Sequence, residues 1–214
     1  MSWLVCTLPV DGVDGPAARN AMTPPFRRAV AGITLIELLV VLAIIGTLLA
    51  AAMLVLPSAI TFAKADSGST QAVSALRTCR EQAITERRNV EIAFDGPNRV
   101  VCNRREIDGT GTPTGALTEV QSLLIGERME FLRFPGIQDT PDGFAAAGGA
   151  VDFTGGAPWS FTSEGTLVDV NGDVVNGTVF LGQPQMPQTA RAVTLFGATA
   201  FLREWRWNGR AWTE

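Results

Sequence analysis

Gly32-Ile33-Thr34-Leu35-Ile36-Glu37 opens the stretch on which the reading of this chain turns. The 19 residues that follow, Leu38 to Leu56, carry no charge, and Thr47 is their one polar side chain. As a helix this run is roughly 28 Å long, close to the hydrocarbon core of a bilayer at about 30 Å. A lone carboxylate, Glu37, stands at its N-terminal edge, behind the small residue Gly32 and the basic pair Arg27 and Arg28. An ordinary secretory signal has a shorter apolar region of about 7–15 residues with its cleavage site after it. Here the run is longer and the candidate site precedes it. The combination predicts a processing and assembly signal, with the rest of the chain as its cargo.

Working outward, residues 1–32 are rich in Gly, Pro and Ala and read as a leader. Starting at Met22 leaves a basic leader of 11 residues, so residues 1–21 read as an extension of it. On the other side, 33–62 reads as the membrane and assembly helix, and Pro57 as the place where it kinks or breaks. Helical character is expected to resume by Ser69. There Val73, Leu76, Cys79 or Arg80, and Ala83 recur every three to four residues, giving an amphipathic extension over 63–88 that ends at Arg87-Arg88-Asn89. Beyond it the period becomes two. Val90, Ile92 and Phe94 alternate with Glu91, Ala93 and Asp95, and Asp95-Gly96-Pro97-Asn98 turns the chain into Arg99–Asn103, a hairpin. Residues 107–116 and 135–149 read as loops. Strands are expected at 123–125, 129–134, around Phe153, at Trp159 to Phe161, and at 174–181, 192–196 and 200–207. This makes 89–214 a β-rich domain.

The totals narrow the function. The chain has 214 residues and a net charge of −4, of which the part after Gly32 carries −5; a polyanion-binding protein is usually basic. There is no histidine, so a Ser-His-Asp triad and His-ligated zinc are excluded. The single lysine, Lys64, follows the apolar run, so no Walker loop is present. Asp169-Val170-Asn171-Gly172-Asp173 begins like a calcium loop, but Val174 and Phe180 stand where glycine and glutamate are needed, and a hairpin turn is expected. No enzyme, metal site or cofactor is expected. Of the three cysteines, Cys6 precedes the processing site; Cys79 and Cys102 form an even pair. An oxidising compartment permits one disulfide between them, and two buried free thiols are the other reading.

Glu37 falls four residues after Ile33. If the chain is cut after Gly32, that spacing sets the acid one helical turn from the new amine, on the same face. It also suits the positive end of the helix dipole.

Arg27-Arg28-Ala-Val-Ala-Gly32 followed by Ile33-Thr-Leu-Ile-Glu37-Leu-Leu-Val-Val-Leu-Ala-Ile-Ile-Gly46 resembles the class III leader and first helix of type IV pilins and type II secretion pseudopilins. The resemblance implies cleavage by a prepilin peptidase between Gly32 and Ile33, N-methylation of Ile33, and Glu37 as the assembly acid. Ile33 departs from the family's more usual phenylalanine. Weaker likeness to the GspH/FimT group of minor subunits covers Ser74 to Ile84, Arg88 to Ile92 and Phe161 to Gly165. It implies an α+β, pilin-like fold: a long N-terminal helix, membrane-spanning in its first half and amphipathic in its second, packed on antiparallel sheets. The implied function is a minor pseudopilin of a type II secretion system. The implied partners are other pilins or pseudopilins through the helix, the prepilin peptidase and the inner membrane, with the domain in the periplasm. The alternative is a minor type IV pilin in pilus assembly or DNA uptake, binding nucleic acid through Arg203, Arg206 and Arg210, which alternate with tryptophans. A plain last hairpin, with Trp205 and Trp207 on one face and Asn208-Gly209 as a type I′ turn, competes with that.

Overall fold

The computed structural model describes residues 32–145 and 147–214. Residues 1–31 of the expected leader, with Cys6, Met22, Arg27 and Arg28, lie outside them. The chain divides into two compact units, one ending at Thr47 and one from Leu48 to Glu214. Helix α1 runs Leu35–Glu86 and continues through Pro57, so the break expected there as one of two outcomes does not occur. Proline removes a backbone donor and crowds the preceding turn, at a cost of about 3 kcal/mol. Good helix formers, Ala50, Ala51, Ala52 and Met53, precede it, and the packed turns after Lys64 fix the remainder. The helix ends at Glu86, short of the expected Arg88. Arg87 takes a left-handed φ of 51°, and the N–H groups of Arg87 and Arg88 donate to the carbonyls of Ile84 and Ala83 at 3.3 and 3.2 Å. That is a Schellman closure with arginine where glycine is usual.

Eleven strands follow: β1 Val90–Asp95, β2 Arg99–Ile107, β3 Pro113–Leu124, β4 Glu130–Phe131, β5 Val151–Phe153, β6 Trp159–Phe161, β7 Leu167–Val168, β8 Gly177–Gln183, β9 Met186–Phe196, β10 Phe201–Trp207 and β11 Trp212–Thr213. They form two antiparallel sheets. One has the order β3-β2-β1-β6-β7, and the other the order β11-β10-β9-β8-β4, with β5 also on β8. The expected hairpin is β1 on β2, with Val90 opposite Arg104 and Asp95 opposite Arg99.

One expected loop and one expected strand are corrected. Only Asp108 to Thr112 turn; Pro113 onward is the long edge strand β3, paired to β2 with two register shifts. Its first seven residues are exposed, so no buried side alternates with a wet one and period two has nothing to register. Conversely, the strand expected over 129–134 shortens to Glu130–Phe131. Met129 is instead drawn against the helix, where Gly68 leaves room: a Cβ there would lie 2.8 Å from the Met129 Cγ.

The main core joins both sheets to one stripe of α1. Ala65, Ala72, Ala75, Leu76, Cys79 and Ala83 meet Val90, Val100 and Phe161 of the first sheet and Val179, Leu181 and Val193 of the second. The stripe is mostly small residues, which lets the helix axis approach the strands closely. The buried sulfurs of Cys79 and Cys102 are bonded, tying α1 to β2 across 23 residues of chain. A second cluster, Phe134, Phe180, Ala192, Trp205 and Trp212, includes Ala145 and contacts Leu132 and Ile137.

Candidate functional site

The candidate site is the first turn of α1 and the apolar surface behind it. Thr34 is the cap. Its Oγ1 accepts from the Glu37 N–H at 3.3 Å, and its carbonyl accepts from the Leu38 N–H at 3.1 Å. Threonine at the cap with glutamate three residues on is the spacing of a capping box, a signal in Thr34-Leu35-Ile36-Glu37 that the sequence reading passed over. The cap starts the helix at Leu35 and puts Glu37 in its first turn, where the free N–H groups favour a negative charge. In the uncut chain Ile33 precedes the first residue of the helix.

Behind this turn, Leu35–Met53 is long and apolar enough to cross a membrane, with a mean hydropathy of 2.6, and none of its residues is buried. Leu35, Leu48 and Met53 are 78%, 65% and 75% exposed. The one hydroxyl in the run is satisfied locally, since Thr47 Oγ1 donates to the Ile44 carbonyl at 2.8 Å. In hydrocarbon no water would do this. What the segment offers is a continuous greasy surface, with every backbone group helical and one acid at its head.

The C-terminal arginines are placed differently. Arg203 pairs with Asp142 and with Glu214, both at 2.8 Å, and Arg206 pairs with Asp66 at 2.5 Å. Only Arg210 extends its side chain from an exposed position without such a pair among the described residues. Asn208-Gly209 is not a two-residue turn. Trp207 pairs with Trp212, so four residues form the loop, and the Asn208 Oδ1 accepts from the N–H groups of Arg210 and Ala211 at 2.9 Å. A type I′ turn needs positive φ at both central residues, and here Gly209 alone has it, at 96°. Trp205 and Trp212 are buried; the Trp212 indole N–H donates to the Gln138 carbonyl at 2.9 Å.

Sequence reasoning also missed Arg191, which is 2% exposed and donates to Asp66 of α1 at 2.8 Å. Burial lowers its guanidinium pKa from the ordinary arginine value, and Asp66 opposes that. Asp66 thus holds two arginines, one from β9 and one from β10. The Asp169 loop is the expected turn: its carboxylate accepts from the Asn171 and Asp173 N–H groups at 2.8 and 3.0 Å.

Residues 27–53 match the family described as the prokaryotic N-terminal methylation motif. The minor pseudopilin EpsH from the type 2 secretion system of Vibrio cholerae is similar at 14% identity and a TM-score of 0.42, over 67% of this chain and 97% of that one. The type IV minor pilin FimU of Pseudomonas aeruginosa is similar at 14% identity and a TM-score of 0.38, over 65% and 90%. No curated protein sequence matches the chain. The match is confined to the N-terminal segment, and what it shows is the methylation motif at the head of α1. The motif implies processing by a prepilin peptidase and assembly with other pilin-type subunits.

Proposed function

We propose that the chain is a minor pseudopilin of a type II secretion system. The observation that carries this is the capped first turn with Glu37 at the head of an exposed apolar helix. The prepilin peptidase cuts between Gly32 and Ile33 and N-methylates Ile33. The helix then holds the subunit in the inner membrane, with the β domain in the periplasm. Left unpaired at membrane depth, an acid costs roughly 2.5–3.5 kcal/mol. Pairing Glu37 with the Ile33 amine of a neighbouring subunit removes that cost and sets the register of the helix in the filament. The mechanism is structural, and no bond is made or broken by this chain.

The ion pairs of Arg203 and Arg206 within the domain favour this reading over a DNA-uptake pilin, since they already engage two of the three cations that such a tail would use. Glu37→Ala tests the assembly role. N-terminal mass spectrometry is expected to find processing intact, while recovery in sheared filaments falls roughly tenfold or more, the scale of losing a charge pair in lipid. Normal incorporation would overturn the role. Deleting the gene separates the machines: loss of a secreted protein from the medium with pili intact supports the proposal, and loss of pili with secretion intact refutes it.

A further inference from the structure

Two strands of the β domain run down α1 toward its apolar run. Along β10, Glu204 accepts from Ser69 and Thr70 of the helix at 2.8 and 3.4 Å, and Arg206 pairs with Asp66 at 2.5 Å. Trp207, Asn208 and Gly209 then line a cavity of about 350 Å³ together with Phe62. Glu204 to Asn208 covers about 13 Å of strand, and Thr70 to Phe62 about 12 Å of helix, so strand and helix keep step. Beside β10, Arg191 of β9 meets Asp66, Gln188 lines the same cavity, and Met186 lies about 7 Å further along. One end of the domain gathers Phe62, Met186, Trp207 and the loop that carries Arg210.

That end stands just above the candidate span, whose last residues, Leu48 to Met53, belong to the same compact unit as the β domain. From Met53 to Phe62 the helix rises about 14 Å, and a headgroup layer occupies about 5–8 Å of that. The remaining gap is within the reach of an arginine side chain, and Met186 hangs below Phe62. No charge intervenes, since Lys64 is the first charged residue after Glu37. Leu56, Ile60, Phe62 and Met186 are all exposed. Helix side chains lean toward the N-terminus, so Lys64 leans toward the bilayer. Neither Lys64 nor Arg210 is in an ion pair among the described residues. The acid of this end, Asp66, is held by Arg191 and Arg206, and the next, Glu204, stands one rung higher. Lys64, Arg191, Arg206 and Arg210 together outnumber Asp66, in a chain whose net charge is −4.

We propose that this end of the β domain seats on the surface of the bilayer that its own helix spans. Lys64 and Arg210 contact the phosphates of anionic phospholipids, and Phe62, Met186 and Trp207 lie among the headgroups. Aromatic rings and long basic side chains are the groups that a membrane interface accommodates, each with an apolar body and a polar tip. Trp207 is half-buried and stands edge-on to Trp212 at 5.3 Å between centroids, which holds it at the domain surface. Each cation near an anionic surface contributes about fivefold to the balance between seated and free. The inference rests on α1 being the membrane anchor and adds a second, electrostatic contact that sets how the domain is presented above the membrane.

The test uses the full chain with Cys6→Ser, so that one nitroxide at a time can be attached. It is placed in nanodiscs of phosphatidylcholine and phosphatidylglycerol that contain a lipid with a nickel-chelating headgroup. A label at Ala211→Cys should be relaxed strongly by the nickel. One at Glu164→Cys, in the loop that Arg80 holds near the far end of α1, should not be. Arg210→Gln, at an exposed position, should lower the seated-to-free ratio at Ala211 about fivefold, and Lys64→Gln likewise. Discs of phosphatidylcholine alone, or molar salt, should lower it further. A label at Leu42→Cys reads the anchor separately, through its access to dissolved oxygen. Oxygen access at Leu42, with relaxation at Ala211 that ignores both lipid charge and Arg210→Gln, overturns this proposal and leaves the anchor standing. No oxygen access at Leu42 overturns both.

Discussion

Two stretches of the same helix use apolar residues to opposite ends. From Leu35 to Met53 no side chain is buried, and large residues dominate: Leu, Ile and Val on every face. From Ala65 to Ala83 the apolar residues form one stripe, most of them small, and both sheets close over it. The first stretch has surface to give to something outside the chain. The second has satisfied its surface within the chain, and its small side chains are the means. Hydrophobicity alone does not separate them; arrangement around the helix and side-chain size do.

The sharpest break of that comparison is a matched truncation. Leu76→Ala, at a position 1% exposed, should lower the unfolding free energy of the β domain by about 2–5 kcal/mol. Leu42→Ala, at 56% exposed, should leave it within about 0.5 kcal/mol while weakening retention in membranes. Denaturant unfolding of the full chain, followed by tryptophan emission, reads both. Asp66→Asn comes next. It strips the buried Arg191 of its carboxylate and should cost about 2 kcal/mol, below the 3–5 of a fully buried pair because Asp66 is half exposed.

A pH series tests the far end of the buried stretch, where Arg104 bridges Glu86 of the helix and Glu106 of β2 at 2.8 and 2.7 Å. Hydrogen bonding from Arg104, then from Thr118, holds the Glu106 carboxyl below its ordinary 4.5. A lowered folded-state value means the stabilisation is complete above 4.5 and is lost as pH falls below it through the folded value. Glu106→Gln should flatten the acid limb of the stability curve there and leave the neutral limb parallel to wild type. The smallest effect is expected at the helix end: Arg87→Gly relieves a left-handed φ of 51° and should gain about 0.5–1 kcal/mol, seen as a higher denaturation midpoint.

The N-terminal device was legible because it is local: a charge-free run, an acid and a small residue declare themselves within about 25 positions of sequence. The β1–β2 hairpin was legible because one face is buried and period two survives. β3 was not, since an exposed edge strand is held by backbone bonds that any side chain permits. The helix across Pro57 was illegible for a related reason: a local penalty is outweighed by packing on strands more than 25 residues away in sequence. Arg191 and Asp66 lie 125 residues apart, and nothing in either neighbourhood announces the other. Likewise the three tail arginines look equivalent in sequence and differ only in which carboxylates the fold brings to them.

The bond between Cys79 and Cys102 has a mechanical side. On the proposed assembly role the chain would be pulled by its N-terminal helix, and the load would enter the β domain through the contacts of α1. Hydrophobic packing resists peeling one residue at a time, and ion pairs yield to water. The disulfide instead hands the load to β2, a central strand flanked by β1 and β3, where a ladder of hydrogen bonds shares it. Placed in the last two turns of the helix, it acts as a rivet where lever joins body, and the domain travels with its helix.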